Sequence, residues 1–166
     1  MNEFKINQHS NERNSNTLLG DSENPTLSIV IPAYFEQGNI DYLYKEIVRA
    51  LGELNIKWEL IIVDDGSTDK TWLEISQLNK MDKRVKGLRF CRNFGHQYSL
   101  FAGLNFAAGK AVVTMDADMQ HPPDVIPRLL DEWNKGFKIV NTIRATIINK
   151  TAAGRAYFNP NELNLS

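Results

Sequence analysis

The chain has 166 residues, 42% of them apolar, and its 19 basic and 20 acidic side chains leave a formal net charge of -1. That is enough for one globular domain with a core, and the near-zero charge excludes a global field that would draw in nucleic acid or an anionic membrane, so affinity for phosphates has to come from a local site. The single cysteine, Cys91, excludes a disulfide framework and a cysteine metal site, and points to a reducing, cytoplasmic setting.

Residues 1–26 are rich in Asn, Ser and Glu without apolar period and read as a disordered leader. No apolar run approaches the roughly 20 residues that span a bilayer, and the start lacks the basic-then-apolar pattern of a secretion signal. From Leu27 onward short β-rich runs alternate with stretches of helical period. The expected strands are Leu27 to Ile31, where Pro32 should stop the strand, then Leu60 to Val63, Val85 to Phe90, Ala111 to Met115 and Phe137 to Val140. Ile40, Leu43, Ile47, Leu51 and Leu54 recur at helical spacing and define the first helix. Trp72, Ile75 and Leu78 mark the second, with Ser67, Thr68 and Asp69 as cap candidates. Leu100, Phe101, Leu104 and Ala108 mark the third. Ile126, Leu129, Leu130 and Trp133 mark the fourth, entered through Pro122 and Pro123. Such alternation predicts right-handed βαβ crossovers and a mainly parallel, Rossmann-like α/β sheet with helices on both faces. The continuous Leu60-Ile61-Ile62-Val63 run suits a strand buried on both sides.

In such sheets ligands bind beyond the carboxyl ends of the strands. Polar residues follow four successive strands here: Tyr34 and Glu36, Asp64 and Asp65, Arg92 and Asn93, then Asp116 and Asp118. Asp116 and Asp118 are separated by one residue, so in extended chain they point to one side and offer hard oxygens to magnesium or manganese, with substrate phosphates completing the shell. Two solvated aspartates in a turn are the plainer reading of that pair. Of Asp64 and Asp65, one is expected to reach the crevice and accept a hydrogen bond from a base N–H or ribose hydroxyl, the other to brace backbone. Tyr34 suits base stacking or an ordinary half-buried edge position, and Glu36 suits ribose. Arg92 suits a phosphate or a local acid equally well. His96 and His121 read as loop residues rather than zinc ligands, and Trp58, Trp72 and Trp133 as packing residues.

Taken together, Pro32-Ala33-Tyr34-Phe35-Glu36, Val63-Asp64-Asp65-Gly66-Ser67-Thr68-Asp69, Arg92-Asn93-Phe94-Gly95 and Asp116-Ala117-Asp118-Met119-Gln120-His121-Pro122-Pro123 resemble glycosyltransferase family 2. More narrowly, they are similar to the branch with dolichol-phosphate mannosyltransferase and bacterial undecaprenyl-phosphate glycosyltransferases. The match covers Leu27 to Arg144. It implies a GT-A fold, a UDP- or GDP-linked sugar donor, Mg2+ or Mn2+, and inverting transfer to a polyprenyl phosphate, with the enzyme at the cytoplasmic face of the membrane. It places Tyr34, Glu36 and Asp65 near the nucleoside and Asp116 and Asp118 at ribose, diphosphate and metal. Gln120 and Arg144 match positions near the diphosphate or sugar, and Pro32 and Ala117 join the donor-binding set through their motifs. Phe35 stands where the family usually has asparagine. Family members continue well beyond the arginine matched by Arg144, so the chain reads as C-terminally truncated, with residues 145–166 unaligned and membrane association left to elements further on or to the acceptor. An uncovered sheet face is expected to favour homo-oligomers.

Two other classes compete. A module that binds a nucleotide sugar or a protein partner without catalysis would keep the same motifs. A receiver domain would need its acidic pair after the first strand, where this chain has Pro32-Ala33-Tyr34.

Overall fold

A computed structural model of the chain describes residues 24–118, 120, 122–142 and the strand Leu163–Leu165. Four strands, β1 (Leu27–Ala33), β2 (Trp58–Asp64), β3 (Val85–Arg89) and β4 (Ala111–Thr114), form one parallel sheet in the order β3-β2-β1-β4. Helices α1 (Ile40–Leu51), α2 (Thr71–Met81) and α3 (His96–Phe106) make the crossovers, and α4 (Ile126–Asn134) follows β4 through a 3-10 turn at Pro123–Val125. All four expected helices are present. The third stops two residues short of Ala108, because Ala107 is already extended at ψ 131°.

Two strand expectations need correction. β1 runs through Pro32 to Ala33, pairing Pro32 with Val63 and Ala33 with Asp64. The pairing to β4 ends at Val30 and Thr114, so the proline's missing amide hydrogen leaves no ladder bond unmade. The fifth strand, β5 (Val140–Thr142), pairs antiparallel with β6 (Leu163–Leu165) instead of joining the four-stranded sheet. Lys138 and Asn141 interrupt its apolar run, so it lacks the two apolar faces that a central parallel strand needs.

β1 and β2 are buried along their whole lengths. One face, with Leu27, Ile29, Ile31, Leu60 and Ile62, packs on α1, α2 and α4 through Ile40, Leu43, Ile47, Leu51, Ile75, Leu78, Ile126 and Leu130. The other face, with Val30, Ile61 and Val63, packs on Leu100 and Ala102 of α3. Gly103 lets α3 lie close to the sheet, since an added Cβ would stand 2.4 Å from Val30 Cγ1. Because the strands run parallel, the loops that leave β1, β2, β3 and β4 all open on one edge of this layer.

Candidate functional site

Backbone amides 35–38 are met in order by side chains from the segment that opens α2. Phe35 N donates to Ser67 Oγ (3.0 Å), Glu36 N to Thr71 Oγ1 (2.9 Å), Gln37 N to Asp69 Oδ2 (3.3 Å) and Gly38 N to Glu74 Oε1 (2.9 Å). This corrects the expected capping role of Ser67 and Thr68. The residue before α2 is Lys70, and of the three candidates Asp69 serves the helix, accepting from Thr71 N at 3.0 Å. Burial pushes the Asp69 carboxyl pKa up, but the hydrogen bonds from Thr71 and Gln37 outweigh it and hold it below its usual value. The loop after β1 is thereby bolted to the start of α2.

Both aspartates at the end of β2 act as braces. Asp64 Oδ1 accepts from Ser67 N at 2.9 Å, and its Oδ2 faces Arg89 Nε at 3.1 Å. Asp65 accepts Phe94 N on Oδ1 and Gly95 N on Oδ2, each at 2.8 Å, and is 3% exposed. Asp65 still lines a cleft, and each of its oxygens keeps a free lone pair, so bracing the loop before α3 does not spend its capacity to accept from a ligand. Gly66, at φ 73°, lets the β2 loop press against the Arg92 backbone.

That cleft, of about 400 Å3, is lined by Pro32, Tyr34, Glu36, Asp65, Asp116, Ala117 and Asp118 of the expected residues. It also takes in Ala33, Asn93, Gly95, His96 and Ser99. Asn39 Nδ2 donates to Glu36 Oε2 at 2.7 Å, which fixes one end of that carboxylate. Asp118 Oδ1 accepts Gln120 N at 3.0 Å, an Asx-type turn that bends the chain after β4. A larger hollow of about 720 Å3 runs along β4 toward α4 and β5, meeting the first at Pro32, His96 and Asp116.

Two expected residues fall outside the cleft wall. Arg92 packs its guanidinium over the Phe94 ring at 4.7 Å. Gln120 is exposed on the bend after Asp118 and contributes its backbone to that turn. Arg144, Met119 and His121 lie outside the described residues, as do most of the leader and most of the tail.

His96, expected in a loop, is the first residue of α3, with Nε2 4.0 Å from Asp116 Oδ1. The glycine immediately before it, Gly95, stands at the N-cap, a position that favours glycine, and is the signal the sequence carries for a helix start. Ser99 is fully buried with no hydrogen-bond partner for its hydroxyl, and nothing in the local sequence distinguishes it from a core serine.

Among the described residues no three His, Cys, Asp or Glu side chains converge into a metal cage. The pair Asp116 and Asp118 fits the other kind of site, in which one or two carboxylates hold a hard divalent cation and substrate oxygens and waters fill the remaining positions. With Glu36 and Asp65 also on the wall, the cleft gathers acids that an anionic diphosphate would meet unfavourably without such a cation. No described helix is long and apolar enough to cross a membrane.

Comparison with known proteins agrees with this architecture. The family model for glycosyl transferase family 2 matches residues 28–163. An uncharacterised glycosyltransferase of Synechocystis sp., sll0501, is 41% identical over 118 residues, which is 71% of this chain and 37% of that protein. The undecaprenyl-phosphate 4-deoxy-4-formamido-L-arabinose transferase of Salmonella choleraesuis is 34% identical over 119 residues, covering 71% of this chain and 36% of its own length. This chain therefore spans little more than a third of these relatives. Among solved structures, the mannosyltransferase PcManGT of Pyrobaculum calidifontis, in complex with GDP-Man and Mn2+, superposes with a TM-score of 0.60 at 20% identity, over 75% of this chain and 37% of that one. That likeness establishes the GT-A-like α/β fold. With the family model covering the sheet, its crossovers and the acidic edge together, the chain belongs to glycosyl transferase family 2.

Proposed function

We propose that this domain binds a UDP- or GDP-linked sugar in the cleft at the carboxyl edge of the sheet, for inverting transfer to a polyprenyl phosphate with Mg2+ or Mn2+. The observation that carries the proposal is the meeting of Tyr34, Glu36, Asp65, Asp116 and Asp118, from three separate strand ends, around one cavity of about 400 Å3. Tyr34 supplies a flat face for the base, and Asp65, held rigid by two amides, accepts a base N–H. Glu36 accepts from ribose hydroxyls. Asp116 and Asp118 hold the cation and orient the diphosphate, with the Ala117 backbone between them and Pro32 closing the floor. A bound divalent cation supplies Lewis-acid stabilisation to the departing diphosphate. The acceptor phosphate oxygen forms the new bond to the anomeric carbon as the bond to the leaving nucleoside diphosphate breaks. That oxygen is already anionic, so no strong general base is needed. The polyprenyl acceptor is supported by the undecaprenyl-phosphate relative and the nucleotide sugar and manganese by the PcManGT complex. Gln120, Arg92 and Arg144 enter the proposal from the family motifs alone.

A second reading draws on the same cleft, whose residues above are assigned to the donor and none to the acceptor: a domain that binds a donor without completing transfer. Calorimetric titration with UDP, GDP and their sugar conjugates, with and without Mn2+, tests both. The expected result is manganese-dependent binding that an Asp116→Ala, Asp118→Ala double variant loses. A folded chain that binds no nucleotide refutes the donor site, and binding without turnover on an added polyprenyl phosphate favours the second reading.

A further inference from the structure

The loop after β1 turns at Phe35, whose φ is 57°. That left-handed region is comfortable for glycine and tolerable for asparagine, and strained for a bulky side chain. Burial does not hold Phe35 there, since it is 50% exposed. The series of side-chain bonds from Ser67, Thr71, Asp69 and Glu74 to amides 35–38 does. In extended chain, successive side chains point to opposite sides and adjacent rings do not meet. The left-handed turn brings the two together: the Phe35 and Tyr34 rings stand edge-to-face, with centroids 4.4 Å apart and planes at 63°. Tyr34, 44% exposed, lines the cleft, and Phe35 packs beside it outside the wall.

From this contact we infer that Phe35 is a positioning residue, whose ring holds the plane of Tyr34 so that the nucleobase meets a stacking face already set. The inference rests on the donor-site reading above and adds a residue that touches no ligand. Strain in the loop is exchanged for preorganisation of the ring that binds.

Asparagine at position 35 would suit the backbone and lack the ring. Phe35→Asn is therefore expected to raise Tm by about 2–4 °C while weakening binding of UDP or GDP in the presence of Mn2+ about two- to tenfold, the range for one edge-to-face ring contact. Phe35→Tyr, which keeps the ring, should bind as the parent does. In a Tyr34→Ala background the effect of Phe35→Asn on affinity should vanish, because the two rings act as one unit. A Phe35→Asn chain that binds with parental affinity, or loses the same factor with Tyr34 absent, overturns the inference. A Phe35→Asn chain that melts earlier than the parent overturns it as well, since the turn would then not be strained. A folded parent chain that binds neither nucleotide defeats the donor site itself, whereas parental binding with an unaffected Phe35→Asn defeats only the role of Phe35.

Discussion

Gly66→Ala is the substitution whose cost the structure defines best. Gly66 has φ 73°, where an L-residue is disfavoured by about 1–2 kcal/mol. A Cβ there would lie 2.4 Å from the Arg92 carbonyl carbon, 2.7 Å from its Cα and 2.8 Å from its oxygen, all backbone atoms with no rotamer to move aside. Ordinary contact begins near 3.4 Å, so the Arg92 loop must retreat by about 1 Å. Forced overpacking of this kind costs about 1–3 kcal/mol, giving about 2–5 kcal/mol in all. At about 2–4 °C per kcal/mol for a protein of this length, Tm should fall by roughly 4–20 °C. The retreat also pulls Phe94 and Gly95 away from Asp65, whose oxygens now sit 2.8 Å from their amides, so nucleotide affinity should fall even where the variant is still folded. Thermal melts followed by circular dichroism, with calorimetric titration of UDP and GDP at a temperature where both proteins are folded, measure the two effects. A Gly66→Ala chain that melts within about 1 °C of the parent and binds equally well would refute the argument that this glycine sets the distance between the two loops.

Two further outcomes follow from the same structure. The Arg84 side chain, hydrogen-bonded to Asp82, holds the Asp82 carboxyl at about 2, below its ordinary 3.8. A depressed folded pKa contributes stability that is complete above about pH 4 and is lost as pH falls toward 2. After discounting for the half-exposed guanidinium, about 1–2 kcal/mol should disappear over that window, and Asp82→Asn should remove this part of the acid dependence of the urea midpoint. Self-association is the second. Among the described residues β4 is an edge strand without charge or proline, and Val112 on it and Phe101 and Leu104 of α3 expose apolar surface, so light scattering should show a species larger than monomer as concentration rises. A monomer at high concentration counts against this.

Much of the architecture was legible in the residues themselves. Apolar spacing located four helices and four parallel strands, because periodicity records which faces must leave water, and the acids after β1, β2 and β4 were placed on one edge by the topology that βαβ alternation compels. The motif order identified the family for the same reason: each motif sits at a strand end where backbone geometry limits what fits. What the sequence could not decide was the partner of each polar group. Ser67 looks like a residue for an α2 cap, yet it serves an amide 32 positions earlier in the chain, and Thr71 serves one 35 positions earlier. Asp65 holds amides about 30 residues later, and Arg92 lies over the Phe94 ring. β5 has a plausible strand pattern, but its partner is β6, more than 20 residues away. Burial pattern is a property of each residue and its near neighbours, so it survives in one dimension. Hydrogen-bond partners and strand pairing depend on distances between segments that only the closed chain brings together.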